Sequence, residues 1–293
     1  MQTDNNNSAS KDLKVLCLQT NPKFKDVEYN IAQAENILSK YTSEDAFDVI
    51  MFPETAFTGY CFVSKDDVRP YLDQAGIGKT FEFCSNLAKR LNCYVIAGYP
   101  ELYIDPQTKT EIMYNSAYVI DRQGTMILNY RKHLLYDQDY FWAAEGPGFQ
   151  AITLKNNKGI EFKAAVAICM DIEPFEMKDL NEFKLAEFCK KERVDVVFLM
   201  CAWPDREATH PEKRTTEEML HYWVNHRLQH LLNDEENQNK YDKKWAFFCA
   251  NRTGTEGTTI FGGSTCAFTC NPLKCIGNLN MEEEGELLAN ITL

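Results

Sequence analysis

The chain has 293 residues, 44% of them hydrophobic and 25% charged, enough apolar material for one large domain or two small ones. Its mean hydropathy is −0.41, and no apolar run approaches the ~20 residues a membrane span needs. Lysine and arginine total 31 against 43 acidic residues, a net charge of −12 that argues against a general binder of nucleic-acid phosphates and mildly favours a cationic ligand.

The opening MQTDNNNSASKDLK is polar and rich in Asn and Ser. Without the basic and apolar regions of a secretory signal, or the arginine of a transit peptide, it reads as a disordered leader over residues 1–12. Eleven cysteines stand at irregular spacings, several inside apolar strands (Cys17, Cys201, Cys249). They read as free thiols in a reducing compartment, hence a soluble cytoplasmic protein, with a nuclear pool equally allowed.

From there strand and helix alternate. LKVLCLQTNP (13–22) predicts a strand and VEYNIAQAENILSKY (27–41) a helix. DVIMFPET (48–55) is a buried strand feeding a loop, KTFEFCSNLAKRLN (79–92) a second helix and CYVIAGYPE (93–101) a second buried strand. MYNSAYVIDRQGTMILNYRK (113–132) predicts two strands turning at Asp121–Gly124. FKAAVAICMD (162–171), LNEFKLAEFCKKER (180–193) and VDVVFLMCAW (194–203) repeat strand, helix, strand. A helix over 215–233, a polar insertion over 233–244, and strands at 245–254, 258–268 and GELLANITL complete the chain. With no internal repeat and no Pro/Gly/Ser linker, the pattern predicts a single α/β domain over 13–293, helices layered on mixed sheets.

Three predicted strands end in a reactive residue: Glu54 after DVIMFP, Lys132 after LNYR and Cys169 after AVAI. Ligand sites collect at strand ends in α/β folds. A cysteine nucleophile needs a base, since a free thiol is mostly protonated at neutral pH, and a carboxylate in an apolar loop can serve. Attack on an amide builds charge on its oxygen, which a lysine ammonium and a backbone N–H beside the nucleophile can hold. Each residue alone has a plainer reading: a core cysteine, a capping carboxylate, a lysine lying along apolar surface. Their joint occurrence favours a catalytic set.

FPETAFTGY, NYRK and AICMD resemble, in order and at domain-scale spacing, the three signature segments of the nitrilase superfamily of carbon–nitrogen hydrolases. The resemblance implies a four-layer α-β-β-α sandwich of the α/β class, with Glu54 as base, Lys132 as oxyanion stabiliser and Cys169 as nucleophile. Further segments, among them AGYPE, YNSAYVI, NYRKHLLYDQDYFW, CMDIEPF and ANRTGTEGTTIFGGS, are most similar to the eukaryotic N-terminal asparagine/glutamine amidohydrolases. The implied reaction deamidates N-terminal Asn or Gln of proteins and peptides through a thioester, releases ammonia and needs no metal or organic cofactor. By the same resemblance it feeds an N-terminal degradation pathway. Where many members carry a second glutamate after the lysine, this chain has Asp139, and the amide of Met170 is the implied backbone oxyanion donor. The segment after MCAWPDR is shorter than the resemblance implies.

Other residues carry paired readings. Asp171 is either a partner for a substrate α-ammonium or a hydrogen-bonded turn carboxylate. Trp203 is a pocket wall or a core ring, and Glu256 a substrate contact or the organiser of a Gly-rich loop. Cys266, Cys270 and Cys275 lack zinc-finger spacing, and His210, His221, His226 and His230 read as a solvated helix face rather than a metal site. The acidic MEEEGE (281–286) reads as a solvated turn. A small-molecule ω-amidase or carbamoyl-amino-acid hydrolase of the same fold, and a non-catalytic module that binds N-termini, stand as alternatives. No nucleic-acid or membrane partner is expected, and the sequence leaves the oligomeric state open.

Overall fold

Alternation along the first strands decides the layering. In β1 (Asp12–Gln19) and β2 (Val49–Met51), Val15, Cys17, Val49 and Met51 face one apolar cluster while Leu16, Leu18 and Ile50 face another. Successive strand side chains point to opposite faces, so a sheet with both faces apolar must be covered twice. A computed structural model describes residues 11–174, 182–205, 215–232 and 243–293.

The outer cover comes from α1 (Val27–Leu38) and, beyond the single-turn α2 (Lys65–Val68), from α3 (Lys79–Leu91). Asp26 caps the start of α1 by accepting from Tyr29 N, and α3 ends where Asn92 adopts a left-handed φ of 50°. Strands β3 (Tyr94–Ile104), β4 (Glu111–Ile120) and β5 (Met126–Arg131) extend the sheet as a meander. The helices supply the crossovers that parallel neighbours require: β1, β2 and β3 are parallel, with Val15, Val49 and Tyr94 in register.

The second half repeats the plan. After β6 (Gln150–Lys155) come β7 (Glu161–Ile168), α4 (Lys184–Glu192) and β8 (Val196–Cys201). Next are α5 (Thr216–Trp223), a π turn over Val224–Leu228, α6 (Gln229–Leu232) and β9 (Trp245–Asn251). A short ribbon of β10 (Thr255–Glu256) and β11 (Thr259–Ile260) leads to β12 (Cys266–Cys270), β13 (Lys274–Asn278) and β14 (Gly285–Thr292). One sheet has the order β14-β1-β2-β3-β4-β5, the other β13-β12-β9-β8-β7-β6. β14 crosses over to pair with β1 along its length, Asp12 opposite Thr292. The inner faces of both sheets share one cluster with Leu185 and Cys189 of α4 and Met219 and Trp223 of α5. The result is the expected α-β-β-α sandwich. Burying one large aliphatic side chain contributes roughly 1.5–3 kcal/mol, so these layers hold the strand ends rigidly.

Two strand boundaries depart from the sequence reading, and one strand was not expected. The strand expected over 162–171 stops at Ile168, and Cys169–Ile172 forms a 3-10 turn. The strand expected over 258–268 is split, because Gly263 turns at φ 47° with its Cα against Met281, where a Cβ would lie 2.2 Å from the carbonyl oxygen. β6, half-exposed at a sheet edge, has too weak an apolar pattern to be anticipated. Residues 1–10 of the expected leader, the insertion through 242, His210 and the beginning of the helix expected over 180–193 lie outside the described residues.

Candidate active site

Each of the three strand-end residues is presented by a backbone device. Beyond β2, Phe52 N still donates to Ile96 O (2.8 Å), then Pro53 ends the ladder because it has no N–H. Glu54 follows, and Thr55 takes φ 44° to turn the chain. The loop lies directly on β3 at Gly98, where a Cβ would meet Thr55 N at 2.7 Å and Glu54 Cα at 2.8 Å. Lys132 follows β5, its amide donating to Asn115 O (2.8 Å) and its carbonyl accepting from Gly146 N (2.7 Å). Cys169 leaves β7 with φ 46°, a left-handed conformation that costs on the order of 1 kcal/mol or more for a residue with a side chain. Met170 follows in the same short turn, where the leading backbone N–H groups have no partner within the turn.

These loops meet in one buried polar cluster. Lys132 Nζ donates to Glu54 Oε1 (2.8 Å) and Asp139 Oδ2 (2.6 Å), with all three side chains 0% exposed. Asn115 Nδ2 bridges the same two carboxylates, at 2.7 Å and 3.0 Å, and Ala202 N donates to Glu54 Oε2 (2.7 Å). Asp139, only seven residues from Lys132, reaches it from a tight turn that also lets its carboxylate accept from Tyr136 N (3.0 Å). Burial pushes the Glu54 carboxyl above its ordinary value, against the pull of the Lys132 ammonium. Burial would lower Lys132, but Asp139 and Glu54 outweigh it and hold the ammonium well above its usual value. Burial also raises the Cys169 thiol, countered in part by its hydrogen bond with Cys201.

Tyr60 separates this cluster from solvent. Its ring centroid lies 5.8 Å from Lys132 Nζ, and it packs with Ala202 and Phe261. Its buried hydroxyl has no hydrogen-bond partner among the described residues. On its other side opens a cavity of about 320 Å³ lined by Tyr60, Cys61, Tyr136, Asp137, Asp205 and Phe261, among others.

For two of the paired readings, the hydrogen bonds show where the carboxylate oxygens go. The Asp171 carboxylate accepts from Tyr130 Oη (2.6 Å), His133 N (3.0 Å), Leu134 N (2.8 Å) and Ile168 N (2.8 Å), and the residue is 0% exposed. It braces the Cys169 turn to the Lys132 loop and has no face toward the cavity. Glu256 spends Oε2 on the amides of Tyr60 and Cys61 (both 2.9 Å) and Oε1 on Arg252, which makes it a tie for the Glu54 loop. Trp203 packs on Trp223 with ring centroids 4.7 Å apart and does not line the cavity, although Pro204 and Asp205 after it do. His230 stacks on Phe183 (3.7 Å), Cys266 and Cys270 are buried in β12 and Cys275 is exposed on β13. Among the described residues no group of three or more His, Cys, Asp or Glu is arranged to hold a metal ion.

Asn115, Tyr60 and Gly98 were passed over in the sequence. A signal for Asn115 was present, because Asn115-Ser116 is a polar pair inside the otherwise apolar YNSAYVI. No comparable signal marked Gly98, whose close approach exists only between two strands.

Among known proteins, the chain is 36% identical to the protein N-terminal amidase of Saccharomyces cerevisiae over 65% of its own length and 45% of that relative's. To the protein N-terminal amidase of Schizosaccharomyces pombe it is 27% identical over 95% of this chain and 99% of that one. A crystal structure of an N-terminal amidase with an Asn-Glu-Ala peptide shares the fold, with a TM-score of 0.79 at 24% identity over 97% and 98% of the two chains. No helix among the described residues is long and apolar enough to cross a membrane. The carbon-nitrogen hydrolase model matches residues 14–176, more than half of the chain, and these residues carry Glu54, Lys132 and Cys169 onto the cluster just described: the chain belongs to the carbon–nitrogen hydrolase family.

Proposed function

We propose that this protein is an amidohydrolase that converts N-terminal Asn and Gln of proteins and peptides to Asp and Glu, with Cys169 as nucleophile, Glu54 as base and Lys132 as oxyanion donor. The observation that carries the reading is the single buried cluster joining Glu54, Lys132 and Asp139, with Cys169 beside it behind a polar cavity. The names of the two relatives supply the substrate class.

The chemistry follows from the hydrogen bonds left over. Glu54 Oε1 accepts twice, but Oε2 accepts only from Ala202 N, which leaves a lone pair for the thiol proton. Two of the three Lys132 donors are committed, and the third serves the developing oxyanion together with the Met170 amide. Cys169 attacks the side-chain amide carbon, Glu54 returns its proton to the departing ammonia, and a water deprotonated by Glu54 then hydrolyses the thioester. Asp139 and Asn115 hold Lys132 and Glu54 in place. Asp137 and Asp205 are the cavity-lining carboxylates suited to an α-ammonium, in place of Asp171. Eleven free thiols suit a reducing cytoplasm, where the product would feed an N-terminal degradation pathway.

The test is ammonia release from an N-terminal Asn peptide and its α-N-acetylated twin, with wild type and Cys169→Ala. Release from the free peptide alone, lost in the variant, is expected. Release from both peptides would remove ammonium recognition, and release only from small ω-amides would move the function to metabolite amides.

A further inference from the structure

The proposed mechanism uses one thiol, yet the fold lines up four. Cys169 stands one residue past β7, Cys201 closes β8, Cys249 lies in β9 and Cys266 opens β12, on four successive strands of one sheet. Cys249 and Cys266 are direct cross-strand partners, and Cys249 Sγ is 3.8 Å from Cys201 Sγ. The Cys201 thiol lies close enough to Cys169 for each to shift the other's ionisation. None of the four is more than 3% exposed. The row runs from the candidate nucleophile into the core between the sheets.

Ile168 and Met200 are the last register pair of two adjacent parallel strands, and Cys169 and Cys201 are the residues that directly follow them. Adjacent strands lie ~4.8 Å apart, inside the ~4.4–6.8 Å Cα separation that a disulfide needs. Of the four, Cys169 is the thiol beside Glu54 and Lys132 and nearest the cavity, whereas Cys249 and Cys266 occupy interior rungs. The base that would take its proton for attack on an amide would take it equally for attack on a peroxide.

We propose that Cys201 is a resolving thiol: peroxide oxidation of Cys169 is captured as a Cys169–Cys201 disulfide that switches the site off reversibly. In the first step the Cys169 sulfur attacks one peroxide oxygen and the O–O bond breaks. The thiol proton leaves with the other oxygen as water, and Cys169 becomes a sulfenic acid. In the second step the Cys201 sulfur displaces hydroxide from that sulfur, its own proton completes a second water, and the S–S bond forms. The two electrons lost by the thiol pair reduce one peroxide. Without Cys201 the sulfenic acid would meet a second peroxide and pass to the sulfinic acid, which thiol reductants do not reverse.

The inference rests on the nucleophile role given to Cys169, but its readout is mass, so it fails separately from the amide-substrate reading. The full chain is treated with hydrogen peroxide, free thiols are alkylated, and the protein and its peptides are weighed. Wild type is expected to yield a Cys169–Cys201 linked peptide about 2 Da lighter than its two reduced peptides together, with neither residue alkylated, and to regain activity in dithiothreitol. Cys201→Ala should instead gain about 32 Da at Cys169 and regain less than about a tenth of its own untreated activity. Cys249→Ala, which keeps the proposed pair, should still yield the linked peptide. The proposal is overturned if wild type gains about 32 Da at Cys169 without a linked peptide, or if the disulfide joins Cys201 to Cys249. Should Cys201→Ala not fold, the wild-type and Cys249→Ala peptides decide.

Discussion

Two glutamates, Glu54 and Glu256, make an instructive pair. Both are buried, Glu54 in the loop after β2 and Glu256 at the end of the two-residue β10; both pair with a buried cation and both accept backbone N–H groups. By burial and pairing alone they are equivalent. Glu256 accepts from Arg252, Tyr60 N and Cys61 N, as many hydrogen bonds as Glu54 accepts, but its cation is unshared and lies 3.9 Å above the Phe261 ring. Glu54 shares its cation with Asp139 and keeps an acceptor position beside a thiol and a cavity. Burial pushes the Arg252 guanidinium down to about 9, a strong perturbation at a group with no reacting partner. Perturbation marks buried charge, and an open acceptor position beside a thiol and a shared cation marks the place for chemistry.

The contrast is tested first at Cys169→Ala. Ammonia release should fall by roughly 10⁴-fold or more, with little change in melting temperature, since a small buried side chain is replaced by another. A stable variant that still turns over would move the nucleophile elsewhere.

Glu54→Gln should cost about 10²–10⁴ in kcat. Glu54 works as the base when ionised, and its raised pKa places the acid limb of wild-type kcat/KM above the ordinary carboxylate range. The same shift has a stability sign. Its contribution is fully present below the unfolded pKa and is lost as pH rises through the higher folded one. Melting curves across that window should lose this pH dependence in Glu54→Gln. An acid limb at the usual carboxylate pH would count against Glu54 as a desolvated base.

Gly98→Ala reaches Glu54 without touching a polar group. Its methyl would lie 2.7 Å from Thr55 N and must push the Glu54 loop away. A displacement of that kind should lower kcat by about 10–100-fold, and a crystal structure of the variant would locate the shift. Unchanged turnover would show that the loop is not held in register by this contact.

Glu256→Ala should do the reverse. Leaving Arg252 buried without its partner costs roughly 3–5 kcal/mol of stability by denaturant unfolding, while turnover per folded molecule changes only a few-fold. Smaller again is Asp171→Asn, at about 1–3 kcal/mol, because three backbone donors and Tyr130 then face an amide. Its KM for the free N-terminal peptide should stay near that of wild type. A KM rise confined to substrates with a free α-ammonium would restore Asp171 as their partner.

The sequence by itself determined an α/β domain of helices layered on mixed sheets and the candidate set at the three strand ends, while the four-layer arrangement was implied by the family resemblance. Apolar alternation at period two and helical spacing are local properties, and Pro53 and the turn at Asp121–Gly124 are local stops. Tertiary structure decided everything that depends on leftover valence. Asp171, Glu256 and Glu54 read alike along the chain as carboxylates near turns. Only the groups brought to them from residues up to 196 positions away separate a saturated brace and a loop tie from a base that shares its cation beside a thiol. The same holds for Asn115, which became a bridge between two carboxylates, and for Cys201, which came to face Cys169 through strand pairing. Periodicity is written between near neighbours in the chain, whereas hydrogen-bond saturation is a sum over groups that folding alone brings together.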